Sequence, residues 1–162
     1  MAHLTDAQKA TLKAYIIADP ALGPKTSGVN TDYQGIAEAM SAPASPVQLA
    51  WVTNATSDAS DDAPDYSTYD SLVAGKRDSW NLFLRTSRNF TRNKVRKWVT
   101  DVWGNATANS NAEAILQSAT VNAKRIEVVL GGTLKTTGTV AALDRNYVGS
   151  MDLAHVADIF NV

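Results

Sequence analysis

Proton-transfer chemistry near neutral pH needs a nucleophile, a base of suitable pKa and a group that orients them. The chain holds two histidines, His3 and His155, and no cysteine. His3 lies in a segment expected to fray, and His155 borders a short helical pattern, where it reads as an exposed or partly packed helix residue. Without cysteine there are no disulfides, thiolate nucleophiles or zinc–thiolate sites. Asp58, Asp61, Asp62 and Asp65 are the densest group of oxygen ligands, but they lack the Gly and terminal Glu of a calcium loop and read as a solvated loop. The stretch from Gly131 to Gly138, GGTLKTTG, has the ingredients of a phosphate loop in the wrong order, because Leu134 precedes Lys135 and no helix signal follows. It reads instead as a helix C-cap followed by a turn. These residues predict no enzyme, no metal and no cofactor.

What remains chemically distinctive is charge. The 162 residues carry a net charge of −1, so the molecule as a whole is not a polycation seeking nucleic acid. Between Asp58 and Asp70 lie five aspartates and no base, whereas Lys76 to Lys97 holds eight of the fifteen Lys and Arg with Asp78 the only acid. At the end of that second run, RTSRNFTRNKVRKWV (Arg85 to Val99) sets Arg85, Arg88, Arg92, Lys94, Arg96 and Lys97 around Phe90 and Trp98. Three uses fit such a stretch: a solvated face, a subunit contact with carboxylates, or contact with a duplex backbone without base readout. Bases at a helix N-terminus oppose its dipole and are usually there for a partner. The acidic partner candidates are Asp58, Asp61, Asp62 and Asp65.

The elements that position these groups follow from capping signals and periodicity. Thr5-Asp-Ala-Gln8 is a capping box opening a helix over Asp6–Ala18. Gly23-Pro24 and Ser27-Gly28 predict a loop. Thr31-Asp-Tyr-Gln34 predicts a second capped helix near Tyr33–Met40, stopped by Pro43 and Pro46. Val47–Thr53 is a strand or a helical turn, and Asn54–Pro64 an exposed loop. Leu72, Val73, Trp80, Phe83 and Leu84 predict one long helix over Thr68–Arg88. Val95, Trp98, Val99 and Val102 give the next helix a buried face, with Thr91 its N-cap and Gly104 its end. On this reading all six bases lie off the apolar stripe, and Phe90 acts as a staple on Val95 or Lys94. Ile115, Leu116, Ala119, Ala123, Ile126 and Leu130 predict a five-turn helix capped by Ser110-Asn-Ala-Glu113. Thr133–Met151, rich in Thr, Gly and Val, predicts short strands or an extended arm, and Asp152 caps a last helix. The expectation is a mainly α helical bundle of five or six helices in one domain (1–162), with 133–162 an irregular or β-like docking arm and terminal helix. The polar opening MAHLTDAQKA predicts neither signal nor transit peptide, and no apolar run reaches the ~20 residues of a membrane span.

Laid end to end, several pieces resemble small proteins from the head and neck of tailed bacteriophages. They are LTDAQKATLKAYIIADPAL, SAPASPVQLAW, YDSLVAGKRDSWNLFL, FTRNKVRKWVTDVWG and GTVAALDRNYVGSMDLAHVADIFN. The similarity spans most of the chain and is carried by packing and capping patterns. It implies a virion structural protein, a head–tail connector (adaptor or head-completion protein). Such a protein is made in the bacterial host cytoplasm and forms a ring, a dodecamer in such families, between the portal protein and the next neck or tail protein. Non-specific contact with packaged DNA in the channel is compatible with it, and no membrane contact or catalytic residue is implied. The competing readings are a capsid decoration or tail-completion protein and a small DNA-binding regulator. The connector reading predicts that reversing Arg85, Arg88, Arg92 and Arg96 to Glu disrupts assembly with little loss of folding.

Overall fold

Thr5 caps the first helix: its hydroxyl accepts from the Gln8 N–H at 3.2 Å while Gln8 Oε1 accepts from the Thr5 N–H at 2.9 Å. The resulting helix α1, Asp6–Ala18, has the predicted bounds. The computed structural model describes residues 3–27 and 31–160, so Gly28 of the predicted loop lies outside the described residues. The chain divides into two units, each assembled from separated stretches. The first takes residues up to 48, 122–133 and from 145 onward; the second takes 49–121 and 134–144.

In the first unit a 3-10 turn over Gly23–Thr26 replaces part of the predicted loop. Helix α2 spans Tyr33–Ser41, and its N-cap is Asp32 and not Thr31. The Asp32 carboxylate accepts from the Gly35 N–H at 2.8 Å and from Lys25 Nζ at 2.8 Å, so it satisfies a helix donor and an ammonium together. Leu12, Ile16, Ile36, Met40 and Val156 form this unit's core with Ile126 from α7, Arg125–Val129. The last helix, α8 (Leu153–Phe160), is capped as predicted by Asp152, whose Oδ1 accepts from the His155 N–H at 2.9 Å.

Most of a four-stranded mixed sheet, in the order β2-β1-β4-β3, belongs to the second unit. Strand β1 is Leu49–Trp51, β2 Thr120–Asn122, β3 Gly132–Thr137 and β4 Val140–Arg145. Strands β1 and β4 run parallel with Ala50 opposite Leu143, and β3 and β4 form a hairpin across Gly138, which takes the positive φ of 60° the turn requires. The expected mainly α bundle is therefore corrected to a helix-rich mixed fold, 51% helix and 14% strand. The sheet is more than a short arm, because Val140 and Ala142 of β4 are buried in the core.

Three further helix expectations change. The predicted loop contains a short helix α3, Ser57–Asp61, capped by Thr56 through the Ala59 N–H at 3.3 Å. The long helix over Thr68–Arg88 is instead a 3-10 turn, Tyr66–Ser71, followed by α4, Ala74–Phe83. Val73 between them is extended and two-thirds exposed. The five-turn helix is broken into α6 (Asn111–Ser118), β2 and α7. Its apolar stripe is real but divides between two cores: Ile115, Leu116 and Ala119 belong to the second unit's core and Ile126 to the first's. Periodicity continues across a break when each side has its own core to fill.

Candidate functional site

The basic stretch forms the corner between α4 and α5, Asn93–Trp103. Two mutual backbone hydrogen bonds between Ala55 and Arg88, each 2.9 Å, and one from Phe90 N–H to the Val52 carbonyl at 3.0 Å tie this corner to the segment following β1. Thr91, the predicted N-cap, turns away from the helix and bonds the Asn89 side chain through both its hydroxyl and its N–H. The N-cap is Arg92, whose side chain makes no capping bond, so the first turn of α5 begins without side-chain acceptance of its donors. Phe90 is fully buried, stacked 6.5 Å from Trp51 and edge-on to Phe83 at 6.1 Å. It is a core residue and not a surface staple.

The six bases separate into four kinds. Arg88 caps α4: its Nε donates to the Phe83 carbonyl and a terminal nitrogen to the Leu82 carbonyl, both at 2.8 Å. A cation there satisfies orphan carbonyls and meets the negative end of the helix dipole. The guanidinium also lies 5.1 Å from the Phe83 ring centre and 4.8 Å from that of Trp98. Arg96, expected on the outer face, is buried, with 2% of its surface exposed. It donates to the Phe90 carbonyl and to Thr137 Oγ1 and stacks 5.0 Å over Trp51. Burial pushes its pKa below the ordinary guanidinium range, and the nearby Asp144 charge acts the other way. Lys97 pairs on the surface with Asp101, one helical turn away. Arg85, Arg92 and Lys94 are exposed and make no ion pair with a described residue.

Two groups absent from the expected set complete the corner. Lys135 on β3 pairs with Asp144 of β4 at 2.5 Å and donates to the Thr91 carbonyl at 3.2 Å. Its own carbonyl accepts from the Trp51 indole N–H at 3.0 Å. Thr137, on the same strand, receives Arg96. No local signal marks either residue's place at the corner, since Thr91, Trp51 and Arg96 lie about forty or more positions earlier in the chain, and only Asp144 is near in sequence. Trp98, assigned to the buried face, is only partly buried: its indole N–H donates to Ser79 Oγ at 2.7 Å, and its ring borders an open groove. That groove has a volume of about 650 Å³ and is lined by Thr53, Ser87, Arg88, Asn89, Arg92, Lys94, Val95, Trp98 and Asp101.

The acidic candidates are equally uneven. Asp65 caps the 3-10 turn through the Ser67 N–H at 2.9 Å, and hydrogen bonds from the Ser67 backbone and side chain hold its carboxyl below the usual range. Asp61 accepts from the Tyr66 hydroxyl, which in turn accepts from Trp80 Nε1 at 2.9 Å. Burial, reinforced by Asp61, pushes the Tyr66 hydroxyl up to about 12. Asp58 and Asp62 are exposed and have no ion pair among the described residues. The ion pairs within this unit are Arg77–Asp70, Lys97–Asp101 and Lys135–Asp144, so none joins the 58–65 acids to the 85–97 bases.

Among the described residues no cluster of three His, Cys, Asp or Glu is placed to hold a metal ion, and no helix is long and apolar enough to cross a membrane. His155 Nδ1 lies 2.9 Å from Asp152 Oδ1 within the α8 cap. The chain matches no known family, curated protein or solved structure.

Proposed function

We propose that this protein is a virion structural component that assembles side by side with copies of itself as a ring-forming head–tail connector between portal and tail. The observation that carries the reading is the pair of unmatched surfaces in one unit. Asp58 and Asp62 of α3 and its C-cap, and Arg85, Arg92 and Lys94 of the α4–α5 corner, have no ion pair among the described residues. Two different, complementary patches on one chain suit a heterologous contact, which closes into a ring when its rotation allows. The resemblance of the chain's capping and packing segments to phage neck proteins supplies the setting, a ring docked on a portal and followed by the next neck or tail protein.

Reconstruction of the virus particle tests this reading. Twelvefold density for the chain directly below the portal is the expected result. Density at threefold or sixfold sites on the shell would replace it with a decoration protein, and density confined to the tail tube with a tail-completion protein. Absence of the chain from purified particles would overturn a virion role altogether.

A further inference from the structure

Within the second unit, the groove at the α4–α5 corner combines features that point to a specific occupant. Its rim carries Arg92 and Lys94, both exposed and without a carboxylate partner among the described residues. Its wall is the Arg88–Trp98 stack, already anchored to the end of α4 and to Ser79. The groove is therefore held open by bonded side chains, and its two free cations sit where the first turn of α5 has no side-chain cap. Both cations oppose the helix dipole, an arrangement that stabilises the chain only when an anionic partner is present. On the same unit, α3 and its C-cap present Asp58 and Asp62, and the turn after it carries Tyr66, whose ring is 40% exposed while its inner side packs on Tyr69 and Trp103 and its hydroxyl is bonded to Asp61 and Trp80.

We infer that this groove is the docking site for the α3 segment, residues 58–66, of a second copy of the chain. The inference rests on the ring reading and names its contact. Asp58 and Asp62, four positions apart, lie on one side of α3 and its C-cap and meet Arg92 and Lys94, while Tyr66 brings an apolar, aromatic body toward the Trp98 side of the groove. The rim contains an acid, Asp101, already matched to Lys97, and Arg88 is committed to two carbonyls. Two free cations beside a fixed carboxylate suit a partner with a few placed carboxylates better than the uniform charge ladder of a duplex, which binds by neutralising many phosphates along its length.

Three chains test the pairing by sedimentation at low and high salt: wild type, R92E/K94E and D58K/D62K. Wild type is expected to self-associate, and each variant alone to lose about a hundredfold or more in association constant through like-charge contact. An equimolar mixture of the two variants is expected to regain assembly. In alternating order, every reversed groove then meets a reversed α3, and every original groove an original one. Circular dichroism of each variant checks that folding is retained. Self-association of R92E/K94E equal to wild type, failure of the mixture to assemble, or a wild-type chain that stays monomeric at low salt would overturn the pairing. Twelvefold density in the particle with any of those results would leave the ring reading standing and remove only this contact. Salt-sensitive binding of wild type to a short DNA duplex that R92E/K94E abolishes, without variant-mixture rescue of assembly, would assign the groove to phosphate instead.

Discussion

The two units solve the same problem, fixing short elements in place, with different chemistry. The first contains none of the four tryptophans and relies on charge placed inside or at the rim of an aliphatic core. Glu127 and Arg145, with 2% and 8% of their side chains exposed, face each other with both carboxylate oxygens 2.9 Å from one guanidinium nitrogen. Glu127 also accepts from the Lys124 and Gly149 N–H groups, so it pins the chain after β4 to the start of α7. Arg125 similarly joins Asp19 and Tyr15. The second unit instead packs all four tryptophans with Phe83 and Phe90, and its buried cation, Arg96, sits over the Trp51 ring and donates to the Phe90 carbonyl and the Thr137 hydroxyl. A charge paired with a charge makes a unit sensitive to the loss of either partner, whereas aromatic packing spreads stability over many contacts.

Glu127→Ala should give the largest effect, about 3–5 kcal/mol of destabilisation, because it removes the buried carboxylate on which Arg145 and the Lys124 and Gly149 N–H groups converge. Urea unfolding followed by circular dichroism measures it. Tryptophan emission, which reports only the second unit, should shift less; a coincident and equal shift would show that the units unfold as one.

Arg96→Ala should cost about 2–3 kcal/mol by leaving the Phe90 carbonyl and Thr137 without their charged donor. Here tryptophan emission should report the loss directly, through Trp51. Arg96→Lys should recover only part of it, since an ammonium cannot reproduce the planar fork and stack. The same geometry replaces the expectation for the quadruple Arg→Glu variant: reversing Arg88 and Arg96 should unfold the second unit, and only Arg85 and Arg92 are free surface probes.

Acid separates the units next. In the first, burial acts to raise Asp19, but the Ala21 and Leu22 N–H groups and Arg125 prevail and hold it below the usual carboxylate range. Lys25 and the Gly35 N–H lower Asp32, and the His155 N–H and the neighbouring imidazole lower Asp152. A carboxyl lowered in the folded state contributes its full stabilisation above its unfolded pKa, about 3.9, and loses it as pH falls through the folded value. Below pH ~4 the first unit, with three such groups against Asp65 in the second, should lose ellipticity before tryptophan emission changes. Simultaneous loss would remove the contrast.

The smallest expected change is a gain. Arg92→Glu places an acid at the N-terminus of α5 and should stabilise the isolated chain by about 0.3–1 kcal/mol. A thermal melt that falls instead would mean that Arg92 has an intramolecular role.

Legibility in the sequence followed the range of the interaction. The α1 capping box, the Asp152 cap, the Gly104 and Gly131 stops and the Val95/Val99/Val102 face are contacts within a few residues, and each stands where its pattern places it. The outward position assigned to Arg96 failed because a helical wheel knows its own stripe and not the neighbour across it: Trp51, Phe90 and Thr137 make that flank a second interior. The helix assigned across residues 111–130 failed for the same reason, since one unbroken apolar period served two cores.

Composition, caps and short-range periodicity thus determined a helix-rich chain without cysteine chemistry and with opposite charges in adjacent segments. Only the tertiary structure decided which charges remain available. Neutralisation by a carbonyl, a ring or a carboxylate depends on groups brought together from distant positions, and local spacing carries no information about them. Arg88, Arg96, Asp61 and Asp65 are bound into the second unit; Arg85, Arg92, Lys94, Asp58 and Asp62 are left on its surface.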